Sequence, residues 1–147
     1  MKRPVVLLVE DSPDDLALMR LAIEEAEAPF EFVVATDGQQ ALDWVFSRGA
    51  QAGRDGQVYP ALILLDLNMP AMSGLEALQA LRADPLGRLI PVVVLTTSEM
   101  PSDIARAYEG GANAYLQKPM AFSDLVSLVE AIQAFWLSFN VLHPDAR

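Results

Sequence analysis

Ala61-Leu62-Ile63-Leu64-Leu65-Asp66-Leu67-Asn68-Met69-Pro70 is the stretch whose reading decides the fold. Five apolar residues in a row, with a turn signal after them, predict a short strand buried on both faces. A carboxylate at the end of such a run emerges where the sheet stops and a loop begins. In open parallel α/β sheets, that carboxyl edge is where ligands and chemistry sit. Asp66 by itself reads equally well as a cap on the following turn, so the rest of the chain has to decide.

Upstream, Val5-Val6-Leu7-Leu8-Val9 has the same buried-strand pattern and ends in Glu10-Asp11. Ser12-Pro13-Asp14-Asp15 then opens a helix, with serine as N-cap, proline at the first helical position and an acid three residues after the cap. Leu16, Met19 and Ile23 share one face of it. Residues 30–35 form a more weakly patterned strand. Asp37-Gly38-Gln39-Gln40 caps a helix carrying Leu42, Val45 and Phe46. Residues 47–59, with Gly49, Gly53 and Gly56, read as a long polar loop.

Downstream, Ser73-Gly74-Leu75-Glu76 is a capping box for a helix with Leu75, Leu78 and Leu81 inward, stopped near Pro85. Residues 90–95 form a strand ending in Thr96-Thr97-Ser98. A helix over about residues 101–109 stops at Gly110-Gly111. Residues 113–117 make a short strand ending at Lys118-Pro119. A last helix begins near Ser123, with Leu125, Leu128, Val129, Ile132, Phe135 and Trp136 on its apolar face. Strands alternate with helices five times, which predicts an α/β doubly wound parallel sheet with right-handed crossovers.

Composition narrows the function. The chain has 147 residues, room for one domain with a real core. It has no cysteine, hence no disulfide or thiolate chemistry, and its single histidine, His143, excludes a histidine-rich metal site. A net charge of −10 argues against unaided nucleic-acid binding, which needs basic groups to displace counterions. No apolar run nears the roughly 20 residues of a membrane span. Residues 5–9 are too short for a signal-peptide core. The expectation is a cytoplasmic protein with no membrane and no nucleic-acid partner.

The strand ends gather Glu10, Asp11, Asp66, Thr96 and Lys118 on one edge. Two unit charges about 4 Å apart repel by roughly 4 kcal/mol at an effective dielectric near 20, so three carboxylates there call for a cation. Mg²⁺ suits one or two carboxylates plus waters. A carboxylate, a cation, a lysine and a hydroxyl together fit phosphoryl transfer onto the carboxylate. Each residue alone has a bland structural explanation; the joint pattern does not.

With these residues in hand, the chain resembles the response-regulator receiver domain of two-component signalling. The likeness rests on Glu10-Asp11, on Asp66 with Asn68, Pro70 and Gly74, on Thr96-Thr97, and on Tyr115 with Lys118-Pro119, and it covers about residues 4–138. It implies a flavodoxin-like five-stranded sheet of order 2-1-3-4-5. It implies that Asp66 is the phosphoacceptor and that Glu10, Asp11, Asp66 and the Asn68 carbonyl hold Mg²⁺. Thr96 and Lys118 would contact the phosphoryl group, the Lys118-Pro119 bond would be cis, and Thr96 with Tyr115 would form the switch.

A narrower likeness is to single-domain regulators that serve phytochrome-type histidine kinases. It rests on the loop before Pro60, on Thr96-Thr97-Ser98, and on an apolar tail running from Phe135 to Pro144. The expected division is a receiver over residues 1–138 and a C-terminal extension, residues 139–147, acting as a dimer arm. A homodimer through the last helix and tail would bury side chains worth about 1.5–3 kcal/mol each. The competing expectation is a tail folded back on its own domain.

Three functions compete at this point. A stand-alone regulator, or a phosphorelay intermediate, takes a phosphoryl group from a histidine kinase without being an enzyme in the ordinary sense. An aspartyl-phosphate phosphohydrolase of the haloacid-dehalogenase kind would want an acid two residues after the nucleophile, where this chain has Asn68. A degenerate receiver serving only as an interaction module would lack active-site residues that are all present here.

Overall fold

A computed structural model of the chain describes residues 3–48, 59–69 and 72–146. The expected long loop over residues 47–59 falls mostly, and Pro70 falls wholly, outside the described residues.

The elements run β1 (Val5–Val9), α1 (Pro13–Glu25), β2 (Glu31–Ala35), α2 (Gly38–Phe46), β3 (Leu62–Leu65), α3 (Gly74–Ala83), β4 (Val92–Thr96), α4 (Pro101–Glu109), β5 (Ala114–Gln117) and α5 (Phe122–Ala134). The five strands form one parallel sheet of order β2-β1-β3-β4-β5. This is the expected doubly wound, flavodoxin-like arrangement.

Strand periodicity explains the two layers. Alternate side chains of a strand point to opposite faces. Leu7, Val9, Ile63, Leu65, Val92 and Val94 face one side, where α2, α3 and α4 contribute Leu42, Val45, Leu78, Leu81 and Ala107. Val6, Leu8, Leu62, Leu64, Val93 and Leu95 face the other, covered by Met19, Ala22 and Ile23 of α1 and Leu125, Val129 and Ile132 of α5. Strands buried on both faces must be continuously apolar, which is why these runs were legible as strands.

Helix starts follow the caps. Ser12, Asp37 and Ser73 accept hydrogen bonds from the backbone N–H groups of Asp15, Gln40 and Glu76. Gln40 also turns back to accept from the Thr36 N–H. The last helix begins at Phe122, near the expected Ser123, with Ala121 as an N-cap that offers no side chain. Asp124 in its first turn meets the helix dipole electrostatically instead. Leu75 is only partly buried, because Ala77 takes the inward position beside Leu78 and Leu81.

At the end of the sheet remote from Asp66, Arg82 ties three segments together. Its guanidinium donates to the carbonyls of Gly87, Ile90 and Gly111 and to Asn113 Oδ1, at 2.9–3.0 Å. Asn113 Oδ1 also accepts from the Val92 N–H at 2.8 Å, which fixes the entry to β4.

The helix does not stop where an ordinary receiver would. Phe135–Phe139 continues α5 as a π-helical turn, and Pro144–Ala146 forms a short 3₁₀ turn. Trp136 and Leu137 pack against the chain's own core, and Ala146 is buried. Phe135, Phe139 and Val141 remain 53%, 79% and 78% exposed. The tail is thus partly folded back and partly bare, between the two expectations. The helical stretch Phe122–Phe139 also reaches a mean hydropathy of 1.2 over 18 residues, long and apolar enough by composition to cross a membrane. Asp124 and Glu130 interrupt it, so it is not the continuous apolar run that a span needs. Leu125, Val129 and Ile132 within it are committed to the core facing α1.

Candidate phosphoacceptor site

The carboxyl ends of β1 and β3 bring Glu10, Asp11 and Asp66 together. β1 and β3 pair in register, Val9 beside Leu65, and the Asp66 N–H continues the ladder to the Val9 carbonyl at 3.0 Å. One oxygen from each of the three carboxylates lies within 4.8 Å of the other two. Glu10 and Asp66 are buried, 4% and 7% exposed, and Asp11 is half-buried.

Lys118 arrives from the end of β5. Its backbone N–H donates to the Thr96 carbonyl at 2.8 Å, which holds it beside β4. Its ammonium contacts Glu10 Oε2 at 2.6 Å, Asp15 Oδ2 at 2.8 Å and Asp66 Oδ2 at 3.4 Å. Asp66 Oδ1 accepts from the Asn68 backbone N–H at 3.3 Å. A cavity of about 130 Å³ opens here, with Glu10, Asp15, Asp66, Thr97 and Lys118 in its wall.

Gly74 explains how Asp66 is seated. A Cβ placed on Gly74 would lie 2.2 Å from the Asp66 carbonyl oxygen and 2.9 Å from Leu67 Cα. The first turn of α3 therefore rests directly on the Asp66 backbone, and only a residue without a side chain permits that approach.

Some expected site features are placed differently. No cis peptide bond occurs among the described residues, so Lys118-Pro119 is trans, which tertiary amides favour by about 0.5–1 kcal/mol. The Thr96 hydroxyl is fully buried and has no hydrogen-bond partner among the described residues, while Thr97 lines the cavity. Tyr115 donates through its hydroxyl to the Ser98 carbonyl at 3.0 Å, tying its ring to the loop after β4. Asn68 is exposed at the site's edge. Sequence reasoning missed Asp15 as a partner of Lys118. Its position in the first turn of α1 was the available signal, but helix capping already accounted for it.

The electrostatics report too much negative charge in too little water. Burial pushes the Glu10 carboxyl up from 4.5 to about 7, and the charge of Asp66 adds to this; the hydrogen bonds from Lys118 and the Ser12 N–H oppose it. For Lys118, burial alone would weaken its hold on a proton, but Asp15, Glu10 and Asp66 outweigh that and raise it. Lys118 stays charged while Glu10 becomes a ready acceptor for a proton or a metal. Glu10 binds its proton more tightly folded than unfolded. That stabilisation is full below about pH 4.5 and fades as pH rises through about 7. In chelator, the wild type should lose no more than about 2 kcal/mol relative to Glu10→Gln between about pH 5 and about pH 8. Urea midpoints measure this, and saturating Mg²⁺ should abolish the difference in slope.

The family model for the response regulator receiver domain matches residues 6–130. The chain belongs to the response-regulator receiver family. It is 38% identical to Response regulator Rcp1 of Synechocystis over 133 residues, covering 90% of this chain and 88% of Rcp1. The Mn²⁺-bound form of Rcp1 superposes with a TM-score of 0.83 at 36% identity, covering 95% of this chain and 99% of that one. The phosphorylated cyanobacterial phytochrome response regulator RcpA superposes with a TM-score of 0.85 at 37% identity, covering 95% and 98%. A probable methanogenesis regulatory protein, FilR2 of Methanothrix harundinacea, is 39% identical over 136 residues, covering 92% of this chain and 85% of that one. This receiver is therefore a response regulator of two-component signalling, akin to regulators tied to phytochromes. Its acidic cluster is compatible with a phosphoacceptor site served by a divalent metal.

Proposed function

We propose that Asp66 accepts a phosphoryl group from a phosphohistidine of a kinase. The observation that carries this is the convergence of Glu10, Asp11 and Asp66 within 4.8 Å, with the Lys118 ammonium on Glu10 and Asp66. An Asp66 carboxylate oxygen attacks phosphorus, the P–N bond to imidazole breaks, and an acyl phosphate forms. Mg²⁺, when bound, neutralises the oxygens of the group in transit. Glu10, Asp11, Asp66 and the Asn68 carbonyl are the residues that would hold it, and these oxygens suit a hard cation. Lys118 offers a proton to one phosphoryl oxygen. Thr96 has a hydroxyl that bonds to none of the described residues, so it is the donor for another. The receiver assists both the arrival and the hydrolytic loss of the group without being an enzyme for a separate substrate.

Tyr115 and Thr96 form the switch. They sit on adjacent strands, and the ring is already linked to Ser98, two residues beyond Thr96. A shift at Thr96 is passed to the loop leading into α4, and so to the face made by α4, β5 and α5.

Incubation with acetyl phosphate and Mg²⁺ should give one acid-stable, alkali-labile adduct per chain. Its absence would overturn this reading, and rapid turnover of sugar phosphates would favour a phosphohydrolase. A phytochrome-type kinase is the first partner to profile, because Rcp1 and RcpA cover nearly the whole chain. The likeness to FilR2 makes a kinase of another sensor class the competing outcome.

The receiver works in the cytoplasm as a homodimer, residues 1–138 forming the domain and residues 139–147 an arm. Only 17% of the apolar stretch Phe122–Phe139 is buried within its own chain, and Phe139 and Val141 are bare. Phe139→Ser and Val141→Ser should each remove roughly 1.5–3 kcal/mol of burial, counted twice across a two-fold axis. Sedimentation velocity should show a wild-type dimer and monomeric variants that still take the phosphoryl label.

A further inference from the structure

Among the described residues, Asp15 is the one carboxylate on Lys118 that stands outside the metal cluster. It lies in the first turn of α1, where its backbone N–H donates to the Ser12 hydroxyl at 3.3 Å. The other half of a capping box, a side-chain bond back to the Ser12 N–H, is made by Glu10 Oε1 at 3.0 Å, so capping uses no side-chain atom of Asp15. The carboxylate instead reaches the ammonium of Lys118, 103 residues further along the chain, at 2.8 Å.

An ammonium has three protons to give. Here they meet three carboxylates at unequal distances: Glu10 at 2.6 Å, Asp15 at 2.8 Å and Asp66 at 3.4 Å. Glu10 and Asp66 also belong to the group able to hold a metal, and Asp15 does not. Lysine and metal therefore draw on the same two carboxylates. Without Asp15, every carboxylate left to Lys118 would be one the cation needs. The Asp15 side chain is 40% exposed, against 5% for Glu10 and 9% for Asp66, so its charge is stabilised by water and costs little to keep in place.

We propose that Asp15 is a positioning residue that holds the Lys118 ammonium partly off Asp66, the more distant of its two contacts within the metal cluster, so that cation and lysine occupy the site together. The proposal rests on the reading of Glu10, Asp11 and Asp66 as metal ligands. It assigns to Asp15 a share in metal affinity exerted wholly through Lys118. Outer-shell partners of this kind alter metal affinity by about 10-fold to 100-fold when removed.

The test is a double-mutant cycle read by calorimetric titration with Mg²⁺ alone, on wild type, Asp15→Asn, Lys118→Ala and the double variant. Asp15→Asn should weaken Mg²⁺ binding about tenfold when Lys118 is present and by less than about twofold in the Lys118→Ala background. Asp15→Glu, which keeps the charge, should restore most of the affinity, whereas a purely local effect on α1 would not be rescued in this way. An equal loss in both backgrounds would show a simple through-space charge effect and overturn the role of Asp15 while leaving the metal reading intact. Unchanged affinity in Asp15→Asn would overturn it as well. A wild type that binds no Mg²⁺ would overturn the metal reading and this role together.

Discussion

Asp66→Asn should take no phosphoryl label at all from acetyl phosphate and Mg²⁺, whereas the wild type gains one group per chain. The amide is close in size to the carboxylate, so the fold has no reason to fail. The Asn68 N–H still finds an oxygen at the position where it now donates to Asp66 Oδ1. What disappears is the nucleophile: an amide oxygen does not form the acyl phosphate. Intact mass spectrometry reads the result directly, and alkaline loss of the wild-type adduct identifies its bond. The substitution also removes one of three carboxylates from a site where burial and the Asp66 charge hold Glu10 up near 7. Asp66→Asn should therefore be at least as stable as wild type in chelator, while binding Mg²⁺ more weakly. A labelled Asp66→Asn chain would mean that another group, such as Asp11 or Asp15, accepts the phosphoryl group.

Gly74→Ala should be the most damaging single methyl group that can be added near the site. In the interior of a helix, alanine is favoured over glycine by about 1 kcal/mol. Here the new Cβ would meet the Asp66 carbonyl oxygen at 2.2 Å, and backbone cannot swing aside as a side-chain tip can. Overpacking costs typically about 1–3 kcal/mol and occasionally more, and this contact belongs at the upper end, about 3 kcal/mol net. Urea unfolding should show a lower midpoint with an unchanged slope. The residual folded protein should label slowly, because relief of the clash must move either α3 or the loop that carries Asp66. Normal stability in Gly74→Ala would mean that α3 does not rest on the Asp66 backbone.

The fold was legible because the core strands are buried on both sides and so must be apolar at every position. Val5–Val9, Leu62–Leu65 and residues 92–95 declare themselves in that way. The site was legible for a related reason: charged and hydroxylic residues directly after such runs have only the sheet edge to occupy. Glu10, Asp11, Asp66 and Lys118 were found by that rule. Asp15 escaped it because it sits on a helix and has an adequate local explanation, while its real partner lies 103 residues away. Long-range pairing of this kind leaves no periodicity to read. The start of α5 near Ser123 was legible from its apolar periodicity, although its cap, Ala121, offers no side chain to read. The tail was ambiguous because Trp136 and Leu137 pack inward while their neighbours Phe135 and Phe139 do not, and all four are simply large and apolar in a sequence.

The carbonyl of Thr96 is pinned by the Lys118 N–H at 2.8 Å, yet its hydroxyl, a fraction of a turn away, is idle. A buried donor in that condition costs about 1–3 kcal/mol. Main chain and side chain of one residue are thus set to opposite purposes, the first immobile, the second waiting. An acceptor brought to that strand end can be answered by rotation about a single bond, with β4 itself standing still. On the proposed switch, the message would leave the sheet as a torsion, and the sheet would serve as its bearing.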